Sequence, residues 1–276
     1  MQAKRVVVLS GKGGTAKTLW LVLMAGEASY LGRRVLLMDC DPERNLSSKF
    51  RVPGHTGGLA HVLSEAGVTT DELNVERGAA AITDQIVATK WAHVDVLPAG
   101  AALQGIGQLT ISDTWLLSDI IETAKLPTRY DVILIDTGGR TGALTTTAMY
   151  AAEVAFAPVM PSRESIEKAR EARERVEKIQ RAHKLRWAGV VLSGFDGRIG
   201  VNVAMREIAI ETFGDQVRAE VPLRAHVQEA NQLVERMSDR RDSESQALAG
   251  VFRGFLLRDL MRQPDSTTPT EGVITP

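Results

Sequence analysis

The chain has 276 residues, 44% of them hydrophobic, enough to bury a sizeable core in one large α/β unit or two smaller ones. A formal net charge of −1 and an isoelectric point near 6.5 exclude a surface that is polycationic throughout, so contact with nucleic acid has to come from a local patch. The lone cysteine, Cys40, excludes an internal disulfide or an iron-sulfur site supplied by one subunit, and fits a reducing cytoplasm.

From Met1 the sequence enters an apolar run, Val6 to Leu9, with no charged-then-apolar leader before it, and no run approaches the roughly 20 apolar residues needed to cross a bilayer. A cytoplasmic protein is expected. Ser10-Gly11-Lys12-Gly13-Gly14-Thr15-Ala16-Lys17-Thr18 follows, and then a helix predicted from Lys17 to Tyr30 that stops at Leu31-Gly32. A glycine loop between strand and helix lets backbone N–H groups curl around phosphates, and the helix N-terminus adds a favourable dipole. Gly11, Gly13, Gly14, Thr15, Ala16, Lys17 and Thr18 are therefore the expected nucleotide cradle. Lys17 reaches the β and γ phosphates and the Thr18 hydroxyl ligates magnesium, although Ala16 stands where the strict pattern has glycine.

The second apolar run, Val35 to Met38, leads into Asp39-Cys40-Asp41-Pro42-Glu43-Arg44-Asn45, where a switch loop would face a γ-phosphate. Val94 to Leu97 follows, then Tyr130 to Asp136, an apolar strand ending in an acid that would hold magnesium at the carboxyl edge of a sheet. Val154 to Ala157, Trp187 to Leu192 and Val217 to Val221 complete the set. Short, nearly all-apolar runs alternating with helices predict a three-layer α/β sandwich with a mainly parallel central sheet. Arg163 to Lys184 has opposite charges four apart (Glu164 and Lys168, Arg170 and Glu174, Glu177 and Arg181), as on a solvated helix. Residues 1–262 are expected to form one domain, and the polar, proline-containing stretch 263–276 a disordered tail. The chain lacks the Asn-Lys dipeptide with which Ras-type GTPases read guanine, so ATP is the expected nucleotide.

Lys12-Gly-Gly-x-x-Lys17-Thr18, Asp39-x-Asp41-Pro42 and Asp136 together resemble the deviant Walker A family of P-loop NTPases that includes ParA partition ATPases and MinD, from Val6 to about Met261. The resemblance implies that Lys12 crosses a homodimer interface to the partner's nucleotide, that Asp41 positions or activates water, and that Asp39 joins Thr18 and Asp136 around Mg2+. It also implies that the segment ending at Pro222 contacts adenine. The function implied is an ATP-dependent dimer that binds DNA without sequence preference, joins the nucleoid when ATP-bound, and is released when a ParB-like centromere-binding protein stimulates hydrolysis. Such a protein would segregate plasmid, phage or chromosomal DNA. Candidate phosphate contacts are Arg198, Arg218 and Arg224, with Arg206, Arg236, Arg240 and Arg241 behind them. Departures from the family pattern are Ala16, Glu43-Arg44 in place of Gln-Gly, and Thr137-Gly138-Gly139-Arg140 in place of a proline-containing sequence. The rival reading is a MinD-like membrane-cycling ATPase, or one that positions a protein cargo. For it, Val251 to Arg262 offers a basic amphipathic helix, but its apolar spacing predicts a last packed helix and no stable membrane association.

Overall fold

The computed structural model describes residues 2–10, 14, 16–52, 57–68, 70, 72–106, 113–139, 142–222 and 225–261, so the expected tail at 263–276 lies outside the described residues. In chain order the elements are β1 (Lys4–Val8), α1 (Lys17–Tyr30), β2 (Val35–Cys40), α2 (Asn45–Lys49), α3 (Gly58–Glu65), α4 (Val75–Gln85), β3 (Val87–Ala88) and β4 (Val94–Leu97). They continue with α5 (Leu116–Thr123), α6 (Leu126–Arg129), β5 (Val132–Thr137), α7 (Ala143–Tyr150), β6 (Val154–Val159) and α8 (Arg163–Ile179). Last come β7 (Arg186–Phe195), α9 (Gly200–Phe213), β8 (Val217–Pro222), α10 (Ala225–Leu233) and α11 (Ser243–Gly254), the last running on in π-helical turns over Phe255–Leu260.

The strands form one sheet in the order β3-β4-β2-β5-β1-β6-β7-β8. All pairings are parallel except that of the two-residue β3, which runs antiparallel to β4 and was not legible as a strand. Strand residues alternate between two covered faces, which is why the runs read as continuously apolar. Val6, Val8, Val35, Leu37, Val132 and Leu134 join a cluster with α1, α10 and α11. Val7, Leu9, Leu36, Met38, Ile133 and Ile135 join another with α3, α5 and α7. The expected sandwich of a mainly parallel sheet between helical layers is the observed fold.

Two helices refine the sequence reading. The charged helix α8 ends at Ile179, not Lys184, and the chain turns there to enter β7, with the Gln180 amide donating to Leu185 O at 2.7 Å. Its solvated face holds Arg170–Glu174 as predicted, beside Arg173–Glu177 and the three-apart pair Lys168–Glu171. The last helix spends its apolar stripe on the core: Phe252, Phe255, Leu256 and Leu260 are fully buried, and the rings of Phe252 and Phe255 meet Trp20 edge-on at centroid distances of 4.8 and 5.6 Å. No helix among the described residues is long and apolar enough to cross a membrane.

Candidate nucleotide site at the carboxyl edge of the sheet

Parallel strands deliver their carboxyl ends to one edge, and that edge carries the predicted chemistry. β1 ends beside Ser10 and the loop into α1, β2 ends at Asp39 and Asp41, and β5 ends at Asp136. Asp39 and Asp136 are register partners on adjacent strands, so two buried carboxylates lie side by side. Burial pushes Asp39 up to about 6 and Asp136 up to about 7; the Asp39 charge raises Asp136 further, and the nearby Asp41 raises both.

Around this pair the polar contacts are specific. The Thr18 hydroxyl donates to Asp136 Oδ2 at 2.6 Å, whereas Asp136 Oδ1 is buried with no hydrogen-bond partner. The Lys17 ammonium, 6% exposed, donates to Ser10 Oγ at 2.9 Å, and burial lowers its pKa from the ordinary lysine value against the pull of Asp136, Asp41 and Glu43. The Thr137 hydroxyl ties the end of β5 to Val8 O of β1 at 2.6 Å, fixing the Asp136 backbone against the loop-bearing strand.

Asp39 and Asp41 divide the labour of the turn. Asp39 Oδ2 accepts from the Ser47 N–H at 2.7 Å and from its hydroxyl, and Oδ1 accepts from the Asp41 N–H at 3.1 Å. Its carboxylate therefore pins β2 to α2. Asp41 is 4% exposed and held by its own loop: Oδ1 accepts from the Glu43 N–H at 2.9 Å and Oδ2 from the Asn45 amide at 3.0 Å. Gly138 approaches it from β5, and a Cβ there would lie 3.0 Å from Asp41 Oδ1. Gly138 thus makes room for Asp41.

A cleft of about 320 Å³ gathers Gly14, Ala16, Lys17, Thr18, Asp41 and Glu43 with residues of α2 and α10 that the sequence did not single out: Asn45, Lys49, Gln228 and Asn231. Pro222 ends β8 half-buried and is not among its lining residues. A second hollow of about 530 Å³ shares Asp41, Glu43 and Gly139 and extends to Leu103, Gln104 and the start of α7. Gly11, Lys12, Gly13, Thr15, Arg140 and Arg224 lie outside the described residues.

Of the remaining DNA candidates, all but Arg241 already hold acceptors. Arg198 makes a two-pronged contact with Asp196 (2.9 and 2.6 Å), and Arg206 shares its Nε–H between both Glu220 oxygens. Arg218, near the amino end of β8 and so at the opposite sheet edge, donates to Ala188 O at 3.0 Å. Arg236 pairs with Asp239, and Arg240 with Glu229 and Glu235, while Arg241 is exposed.

The donor set fits a hard cation beside a polyphosphate. Asp136 offers a buried, unpartnered carboxylate oxygen next to a hydroxyl. Among the described residues no three acidic, histidine or cysteine side chains converge as an all-protein cage. Magnesium suits such a site, because it is held by one or two carboxylates plus substrate phosphates and keeps waters.

Comparison with known proteins agrees with this geometry. An AAA domain family model matches residues 3–187. The chain is 28% identical over 267 residues to the chromosome partitioning protein ParA of Caulobacter vibrioides, covering 94% of this chain and 96% of that protein. It is 31% identical to a ParA family protein of Chlamydia trachomatis serovar D over 76% of this chain and 79% of the other. An ATP complex of a Cyanothece McdA variant superposes with a TM-score of 0.75 over 96% of this chain and 99% of its own, at 16% identity, a likeness of fold. With the family model spanning most of its length and ParA relatives matching nearly end to end, the chain belongs to the ParA-type partition ATPases of the deviant Walker A family.

Proposed function

We propose that this ATPase binds ATP with magnesium, dimerises around it, and partitions or positions DNA through nucleotide-gated, sequence-independent binding that ends when a ParB-like partner stimulates hydrolysis. The observation that carries the reading is the Thr18–Asp136 pair, with its unpartnered Asp136 oxygen, beside the buried Lys17. Residues 1–262 act as one unit in this reading. Thr18 and Asp136 hold the metal, whose charge offsets that of the phosphates. Asp39 serves it indirectly by fixing the loop that carries Asp41. Gly11, Gly13, Gly14, Thr15 and Ala16 wrap the phosphates, Lys17 neutralises them, and Pro222 borders the base. Lys12 reaches the partner's nucleotide across an interface that includes the hollow at Gly139 and Leu103. Asp41, aimed by Glu43 N–H and Asn45, positions the attacking water; with little covalent chemistry to perform, placement and charge are the tools.

DNA contact falls first to Arg224, because Arg198 would have to give up Asp196, and Arg218 its carbonyl, to reach a phosphate. A membrane-cycling alternative would have to lift Phe252, Phe255 and Leu256 out of the core.

Electrophoretic mobility of random-sequence DNA with ATP, ADP or no nucleotide, across a salt series, tests the proposal. Retention is expected only with ATP, independent of sequence, and weakening steeply with salt; Lys17→Ala abolishes it. ATP turnover without DNA retention at any salt would remove the DNA half of the reading.

A further inference from the structure

The cleft that holds Lys17 and Thr18 extends to α10, and there it meets a polar group that phosphate chemistry does not use. Asn231 is 9% exposed, lines the cleft with Ala16, Leu19 and Lys49, and buries its Oδ1 with no hydrogen-bond partner. A buried amide oxygen left unmatched carries an uncompensated desolvation cost, so an apolar side chain would serve packing alone better. Nor is the residue loose. Its neighbours Val227 and Ala230 are buried against the α1 face of the core, and Lys49 Nζ donates to the Asn231 carbonyl at 3.4 Å, tying α10 to α2.

An unpartnered oxygen asks for a donor. Phosphate oxygens at neutral pH offer acceptors almost exclusively, so the triphosphate is the wrong complement. The sugar–base half of a nucleotide carries neutral donors: the ribose hydroxyls and the exocyclic amine of adenine. Gln228, one turn earlier on α10, lines the same cleft, so the helix presents side-chain amides rather than charges there. We propose that Asn231 is a specificity-determining residue that accepts a hydrogen bond from the nucleoside half of the bound nucleotide. This rests on the ATP-site reading above and assigns to α10 a role in choosing the nucleotide.

Equilibrium binding of ATP, 2′-deoxy-ATP, 3′-deoxy-ATP and purine riboside triphosphate, which lacks the 6-amino group, tests it. The wild-type chain is expected to bind one analogue, the one missing the recognised donor, roughly tenfold more weakly than ATP. Asn231→Leu, or Asn231→Ala should the leucine variant not fold, is expected to bind ATP roughly tenfold more weakly and to bind ATP and that analogue equally. The sugar analogues and the base analogue separate the two sources of the donor. A structural role for Asn231 would weaken all four ligands alike and leave their ratios unchanged. Tight ATP binding by wild type with flat ratios across the analogues overturns this inference alone, as do wild-type ratios in the variant. Failure of the wild type to bind ATP at all overturns it together with the nucleotide reading.

Discussion

Ala16 and Arg44 occupy two positions where the deviant Walker pattern has glycine, and both hold the left-handed conformation that glycine adopts without strain, at φ 66° and 60°. Both positions thus hold a backbone that glycine would adopt more readily than the residue present. For Ala16 the cost of that conformation is on the order of 1 kcal/mol. Replacement by glycine removes the strain but loosens the unfolded chain by a comparable amount. Ala16→Gly should therefore change stability by less than about 1 kcal/mol. Ala16→Val, β-branched at positive φ, should destabilise by about 2 kcal/mol or more and weaken nucleotide binding with it. Thermal melts of both variants check this, and a valine variant as stable as wild type would show that the loop does not depend on the left-handed turn.

At the same scale, side-chain roles divide by whether their partners are local in sequence. The placement of Lys17, Thr18 and Asp136 at one edge of the sheet was legible because each sits at the end of a strand or the start of a helix, where topology leaves little choice. For Asp39 the resemblance implies a place in the magnesium shell; its oxygens also accept from Ser47 and the Asp41 N–H, contacts that spacing does not announce. Asn45, which aims Asp41, is four residues downstream of it and matches no motif taken alone. Asn231 carries still less signal, because its place at the cleft depends on α10 packing beside α1 and α2 from the far end of the chain.

Among the elements, helices were read best where the chain gave them both a start and a stop. α1 runs over the predicted Lys17–Tyr30, since the loop opens it and Leu31-Gly32 closes it. The terminal helix posed the sharper question, because a basic amphipathic segment suits either a core or a lipid surface. Periodicity alone gives the stripe but not its partner. The partner is Trp20 on α1, whose indole N–H donates to Ser193 Oγ on β7 and whose ring sits between Phe252 and Phe255. This joins the first helix after the phosphate loop to the last helix of the chain. Phe252→Ala should cost about 3–5 kcal/mol through lost burial and an unfilled cavity. It should also lower the unfolding midpoint in urea, without creating or abolishing co-sedimentation with anionic vesicles. A variant that unfolds at the wild-type midpoint would contradict the packing role of the stripe.

For the whole molecule, the sheet concentrates negative charge at one buried point, and that concentration makes stability depend on pH in a direction opposite to most carboxylates. Asp136 is raised to about 7 and Asp39 to about 6, chiefly by burial. The folded state therefore holds these protons more tightly than the unfolded chain does, so folding stability falls as pH rises from the ordinary aspartate range near 4 up to about 7, and is flat above it. Between pH 5 and 8, where ordinary surface carboxylates no longer titrate, this loss should be visible in melting curves of the nucleotide-free protein at fixed ionic strength. Asp136→Asn removes the larger part of it: the variant should be more stable than wild type at pH 8 by about 2 kcal/mol and show a shallower slope, while losing ATP turnover. The residual slope belongs to Asp39 and should end near pH 6. Magnesium with ATP should act in the opposite sense on the wild type, because a cation at the Asp136 oxygen competes with the proton, so the stabilisation it confers should grow as pH rises through 7. Parallel pH–stability curves for wild type and Asp136→Asn would mean that the buried carboxylate pair does not carry the charge that the fold places there.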